Sequence, residues 1–107
     1  MSFKILPTPA FVRELKKLAK KYISIKEDLK GLIADLSKDP KSGTSLGNNC
    51  YKIRLAITSK NKGKSGGARI ISYVHVVNET VYLLSIYDKS DLDNISDNEL
   101  MSRIKDL

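Results

Sequence analysis

The sequence predicts an α+β fold. An N-terminal strand and an antiparallel helical hairpin pack on a small, mainly antiparallel sheet, and a C-terminal helix closes the chain. Three observations predict it. Two amphipathic segments with helix-start signals follow one another near the N-terminus. Apolar strand-like segments separated by polar, glycine-containing connections fill the middle. A last capped amphipathic segment ends the chain. At 107 residues the chain suits one compact domain, 1–107, without internal repeats.

Phe3 to Leu6 is a short apolar run stopped by Pro7, the expected first strand. Thr8 then supplies an N-cap hydroxyl, and Pro9 sits at the first helical position, where its missing N–H costs nothing. Phe11, Leu15, Leu18, Ala19 and Tyr22 share one helical face, while Lys16, Lys17, Lys20 and Lys21 fall largely on the other. A second helix is expected from Ser24, which with Glu27 has the spacing of a capping box. Ile25, Leu29, Leu32, Ile33 and Leu36 form its apolar stripe. The short link between the two makes them an antiparallel pair.

Asp39 to Asn49 holds Pro40, Gly43, Gly47 and two asparagines and is read as a loop. From Tyr51 to Ile57 the pattern alternates: Tyr51, Ile53, Leu55 and Ile57 on one face, Lys52 and Arg54 on the other. Thr58 to Gly67 is a polar connection. Ala68 to Val77 and Thr80 to Asp88 read as strands joined at Asn78 and Glu79, a hairpin. The last helix starts at Ser96. Ser96 and Glu99 have capping-box spacing, and Ile95 with Leu100 fits a hydrophobic staple.

Composition narrows the chemistry. With 41% apolar residues the chain can bury a core. A single cysteine, Cys50, excludes an internal disulfide and a cysteine-based zinc cage. Its only histidine partner for nucleophilic catalysis is His75, and a lone cysteine is ordinarily a small buried hydrophobe. Met1 to Leu6 carries a lysine and breaks at Pro7, unlike a secretion leader, and no apolar run is long enough for a membrane span. A soluble cytoplasmic protein needing neither metal nor cofactor is expected.

The charge is uneven. Met1 to Asp39 carries a balance of +4 and Glu79 to Leu107 one of −4. Pro40 to Asn78 holds seven Lys/Arg and no acid, +7. Such a block attracts polyanions, and nucleic acid is the partner class it favours over a merely solvated surface. Gly63-Lys64-Ser65 has the ending of a phosphate-binding P-loop, but Thr58 stands where the earlier glycine is required and a strand follows instead of a helix. The remaining constellation is Lys52 and Arg54 on one strand face, Arg69 opening the next strand, and Lys60, Lys62 and Lys64 between them. A hairpin brings Lys52, Arg54 and Arg69 toward one open face. Cations crowded without counter-ions favour the arrival of an anion.

Three segments together resemble the RelE/HigB toxins of type II toxin–antitoxin systems, in the RelE/ParE superfamily, with the HigB-like branch nearest. They are Tyr51-Lys52-Ile53-Arg54-Leu55, Gly63-Lys64-Ser65-Gly66-Gly67-Ala68-Arg69-Ile70-Ile71, and Val81 to Lys89 followed by the acidic final helix. The resemblance covers nearly the whole chain. It implies metal-independent, ribosome-dependent cleavage of messenger RNA, and inhibition by a cognate antitoxin of helix-turn-helix type. The RNA's 2′-hydroxyl then attacks the adjacent phosphorus, and the protein accepts a proton and stabilises the phosphorane oxygens. By resemblance, Lys52 and Arg54 match the family's basic pair on one strand, Arg69 the arginine on the next, and Lys89 a further basic residue. Lys52 is the better base, since arginine stays protonated. Arg69 is expected at an exposed position holding the phosphate with its planar fork. Lys60, Lys62 and Lys64 are expected to bind RNA, with Tyr87 stacking on a base or orienting the nucleotide. Two rivals remain: a ParE-like inhibitor of DNA gyrase that cuts nothing, and a non-catalytic RNA- or DNA-binding module.

Overall fold

The computed structural model describes residues 2–60, 63, 66–92 and 94–107. Along the chain run β1 (Lys4–Pro7), α1 (Pro9–Lys21), α2 (Ile25–Lys38), β2 (Thr44–Gly47), β3 (Cys50–Leu55), a 3-10 turn (Thr58–Lys60), β4 (Ala68–His75), β5 (Thr80–Asp88) and α3 (Asp97–Lys105). The strands form one sheet in the order β1-β5-β4-β3-β2. All neighbours are antiparallel except β1 beside β5. The α+β architecture predicted from the sequence is the observed one.

Alternation along the strands feeds two cores. Ile53, Leu55, Ile70, Val74, Val81, Leu83 and Ile86 face the helical hairpin, where Phe11, Leu18, Ile25, Leu29 and Leu36 cover them. On the opposite face Cys50, Ile71, Leu84 and Tyr87 pack with Leu100 of α3, and Ile95 and Ile104 flank them. A bulge serves this second core. Pairing passes from Ile71↔Ser85 to Ser72↔Leu83, so Leu84 is the extra residue and joins the α3 side. The face that carries Lys52 and Arg54 is therefore partly roofed, where an open face was expected.

Local signals account for most helix ends. The Thr8 hydroxyl accepts from the Phe11 amide at 3.3 Å with Pro9 at the first helical position. The Thr8 amide and hydroxyl also donate to the Leu83 carbonyl at 3.0 and 2.9 Å, which starts α1 where β1 stops pairing. Ser96 accepts from the Glu99 amide at 3.2 Å, but the Glu99 carboxylate turns to Arg103 instead of completing a capping box. Ser24 does not cap α2. Its backbone is already helical (φ −85, ψ −7), so its hydroxyl cannot fold back on the first turn; it donates to Asp28 and accepts from the Ser59 amide.

One strand is missing from the sequence reading. β2 lies inside the segment read as a loop, and all four of its residues are exposed. An exposed edge strand shows no apolar alternation. The turn signal was present: Asn48 and Asn49 both take positive φ, 52 and 63, between Gly47 and Cys50, which pair. Two left-handed residues in a two-residue hairpin loop are the requirement of a type I′ turn. The β4–β5 turn is also longer than expected, spanning Val76 to Glu79. His75 closes it through Nδ1, which accepts from the Asn78 amide at 3.3 Å, so this ring serves the turn.

Among the described residues no strand lies beside the edge of β5 past Leu83, and two side chains take the place of one. Arg103 of α3 donates to the Leu84 carbonyl at 2.7 Å, and Glu14 of α1 accepts from the Ile86 amide at 3.3 Å. The two side chains meet through paired hydrogen bonds of 2.8 and 3.0 Å. Glu14 and Glu99 hold the Arg103 pKa above its ordinary value, Glu14 first.

Candidate functional site

The site is built on the register of three strands. On β3, Tyr51, Ile53 and Leu55 belong to the hairpin core, so Lys52 and Arg54 project to the opposite face with Cys50. Arg54 pairs with Arg69 of β4, and Arg69 with Tyr87 of β5. Arg54, Arg69 and Tyr87 thus form one cross-strand row. Lys52 stands in the next row, opposite Ile71, which in turn faces Ser85. Side chains directly opposite in a sheet are about 5 Å apart at Cβ, and like charges there oppose folding. A sheet that places two arginines this way concentrates positive charge for an incoming anion.

The members of the row differ in exposure. Arg54 is exposed and Lys52 half-buried. Arg69, expected at an exposed position, is only 3% exposed. Its Nη1 donates to the carbonyl of Ala68 at 3.0 Å. The reason is its place in the middle strand of the row, between Arg54 and a Tyr87 that is itself 8% exposed. Arg69 therefore underlies the site, and Arg54 presents its charge at the surface. The Lys52 ammonium donates to Oδ1 of Asn94 at 2.7 Å. A cavity of about 160 Å³ opens beside it, lined by Leu46, Tyr87, Asn94, Asp97 and Leu100 among others. Its size suits a single planar group rather than a whole nucleotide.

Gly67 sets where β4 begins. A Cβ there would collide with the Leu55 carbonyl, so only glycine lets the chain pass close enough for Ala68 to pair with Leu55. The Gly67 carbonyl accepts from the Lys89 amide at 3.1 Å. This contact holds exposed Lys89 beside the end of the sheet that carries Arg54 and Arg69.

Lys60 lies elsewhere. It was expected to be a loop cation awaiting RNA, but its ammonium reaches Oδ1 of Asp88 at 2.7 Å on the helix side of the sheet, over the Tyr22 ring. Asp88 is 1% exposed and also accepts from the Tyr22 hydroxyl at 2.5 Å and from the Ser90 amide and hydroxyl. Burial pushes its carboxyl up, but hydrogen bonds from Lys60, Tyr22 and Ser90 outweigh this and hold it well below the ordinary range. The same contact raises the Lys60 pKa, against a smaller opposing effect of burial. One turn earlier, Asp28 accepts from the Thr58 amide at 2.9 Å and its hydroxyl at 2.6 Å. Burial raises the Asp28 carboxyl, and the Thr58 and Ser24 hydrogen bonds bring it below its usual value. The start of the connection to β4 is thereby fastened to the helical hairpin. Lys62 and Lys64 lie outside the described residues.

The acid-free block is not free of counter-ions in space, because Asp88 lies ten residues past its end. Sequence reasoning also missed Asn94, the partner of Lys52. An isolated polar residue in an irregular segment carries no periodic signal. Cys50 is fully buried, and burial pushes its thiol pKa up, so it behaves as core. Among the described residues no helix is long and apolar enough to cross a membrane.

Comparison with known proteins places this geometry. A mutant of E. coli toxin RelE with two arginines changed to alanine, in the free state, superposes with a TM-score of 0.64 at 19% identity, over 100% of this chain and 99% of that one. The same mutant in complex with an antitoxin RelB C-terminal peptide gives 0.63 at 20% identity, over 97% and 95%. The intact E. coli RelBE toxin–antitoxin complex gives 0.62 at 20% identity, over 81% and 96%. At these identities the likeness is one of fold. The family model described as the RelE toxin of the RelE/RelB toxin–antitoxin system matches residues 4–106. With nearly its whole length matched, the chain belongs to the RelE toxin family of type II toxin–antitoxin systems.

Proposed function

We propose that the protein is a ribosome-dependent endoribonuclease that cuts messenger RNA in the cytoplasm and is neutralised by a cognate antitoxin. The observation that carries the reading is the cross-strand row of Arg54 and Arg69 with Lys52 beside it on the same sheet face. In this reading the scissile phosphate lies over Arg54, and the buried Arg69 adds positive charge from below. Charge preorganised in a poorly hydrated floor stabilises a phosphorane without reorganising as the reaction proceeds. Of these three cations Lys52 is the one able to exchange a proton, so its amine, in the neutral form and oriented by Asn94, takes the 2′-hydroxyl proton as that oxygen bonds to phosphorus; the bond from phosphorus to the 5′ oxygen breaks, and the leaving oxygen takes a proton from water. Lys89 flanks the phosphate. Tyr87 presents its ring at the cavity beside Lys52, where a base next to the cut fits. Membership of the RelE toxin family supports an antitoxin as partner, as does E. coli RelE bound to RelB.

The test is messenger cleavage by the pure protein on purified ribosomes without added metal, alongside pulse labelling of cells expressing it. Cleavage and an early fall in protein synthesis are the expected results. DNA synthesis falling first, with no cleavage, overturns the reading in favour of gyrase inhibition.

A further inference from the structure

We propose that the cavity beside Lys52 is a base-reading pocket that takes a guanine next to the scissile phosphate, with the Asp97 carboxylate as the group that selects it. The inference deepens the reading above and rests on it in taking the ligand to be RNA. Three parts of the fold wall the cavity. Leu46 comes from the edge strand β2, Ile71 and Tyr87 from the sheet, and Leu100 from α3. Apolar walls around a space for one planar group suit the faces of a nucleobase, which pack without regard to its identity. Identity is read at the edge of the base, by polar groups.

Lys52, Asn94 and Asp97 are the polar side chains of the lining. Lys52 and Asn94 are already joined, the ammonium donating to Oδ1 at 2.7 Å. That bond engages the oxygen with which an asparagine, together with its NH2 group, would read adenine. Asp97 is the first residue of α3 and is exposed. An acid there suits the helix dipole, but Glu99 lies in the same turn and Ser96 supplies the cap. Glu99 is engaged by Arg103. Among the described residues no ion pair or side-chain hydrogen bond engages Asp97, and Lys52 in the same lining does not pair with it. An ionised carboxylate accepts through two oxygens and donates nothing. Guanine is the one standard base with two donors side by side, its N1–H and its 2-amino group. Adenine and cytosine set the amino group next to a bare ring nitrogen, and uracil sets its N–H between two carbonyls. Each of these three turns a lone pair toward the carboxylate, and guanine does not.

The experiment measures cleavage of ribosome-bound messengers that carry each standard base, or inosine, on either side of the cut. Wild type is compared with Asp97→Asn, and with Asp39→Asn as an exposed charge-removal control. Wild type is expected to favour guanine by roughly tenfold or more in kcat/KM, the worth of a paired contact to a base edge. Inosine, which lacks the 2-amino group, should fall between guanine and adenine. Asp97→Asn should abolish the preference and move the order toward adenine, to which an amide offers both an acceptor and a donor. Asp39→Asn should keep the wild-type order. An unchanged order in Asp97→Asn, or a loss of rate equal for every base, overturns the proposal. The second measurement needs no cleavage: the isolated protein is titrated with guanosine and adenosine monophosphates and followed by the amide resonances of residues 94–97. Guanosine monophosphate is expected to bind more tightly in wild type and to lose that advantage in Asp97→Asn. If no messenger is cut but this difference is seen, the cleavage reading falls and the pocket stands. If messenger is cut without a base order that depends on Asp97, the pocket falls and the cleavage reading stands. Should Asp97→Asn fail to fold, Asp97→Ser is expected to flatten the order, and a wild-type order in that variant overturns the proposal.

Discussion

Arg54 on β3 and Arg69 on β4 stand directly opposite each other, one exposed and the other 3% exposed. Opposed like charges in neighbouring strands destabilise a sheet. Their exposures separate what each contributes. Arg54 meets solvent, and in the proposed reading it is the one that meets the phosphate. Arg69 lies in the sheet's packed interior, so it serves both the fold and the charge of the site.

Arg54→Ala is accordingly expected to lower single-turnover messenger cleavage by ~10²- to 10³-fold, the usual loss of a transition-state donor. Stability should move by no more than about 0.5 kcal/mol, as at other exposed positions. Arg69→Ala should lose cleavage and also about 1–3 kcal/mol of stability, because it strips a buried, hydrogen-bonded group from the sheet. Arg69→Lys should recover only part of both. Cleavage on purified ribosomes with urea denaturation of the same preparations separates the outcomes. Full stability in Arg69→Ala would contradict the burial described above.

Lys52 and Asn94 should act as one unit. Lys52→Met removes the proposed base and is expected to cost ~10²- to 10³-fold in kcat. Asn94→Ala leaves the ammonium unoriented and should cost less, roughly tenfold. The double variant should be no slower than Lys52→Met alone, since Asn94 acts through Lys52. Additive losses would show that Asn94 acts on the substrate independently.

The Asp88 cluster makes a prediction about acid. The Asp88 carboxyl is held below its ordinary value in the folded protein, so its contribution is fully present above pH ~4 and is lost as pH falls further. Asp88→Asn should destabilise the protein by roughly 3 kcal/mol at neutral pH, because Lys60 is left with little solvent and no counter-ion. The variant should also show a flatter stability profile below pH 4. Lys60→Met added to Asp88→Asn should restore part of the loss. Urea unfolding between pH 2 and 7 gives both quantities, and an unchanged acid profile would contradict the assignment.

Glu14 and Arg103 close the edge of β5 from both sides of the sheet. Arg103→Ala leaves the Leu84 carbonyl and the Glu14 carboxylate without this donor and is expected to cost about 1–3 kcal/mol. The loss should be local to the α3 side. Hydrogen exchange should quicken in α3 and at β5 beyond Leu83, with the helical hairpin unaffected. Uniformly faster exchange across the chain would show that the clamp secures the whole fold instead.

The sequence by itself determined the α+β class, the two hairpin helices, the long strands and the face on which Lys52 and Arg54 project. These follow from periods of 3.6 and 2, which any half-buried helix or strand must display. It determined the acid-free charge block as well. Only the tertiary structure decided which of those cations are available. Asp88 reaches back across the sheet to Lys60, and Asn94 reaches Lys52 from 42 residues away. Neither distance in sequence nor local charge balance encodes such pairs. Arg69 followed the predicted parity, yet its burial came from the neighbours on either side, which depend on strand order. β2 escaped because an exposed edge strand has no buried face to pattern its residues, and only pairing with β3 makes it a strand. Periodicity records which side of an element is dry; it does not record what the other elements bring to that side.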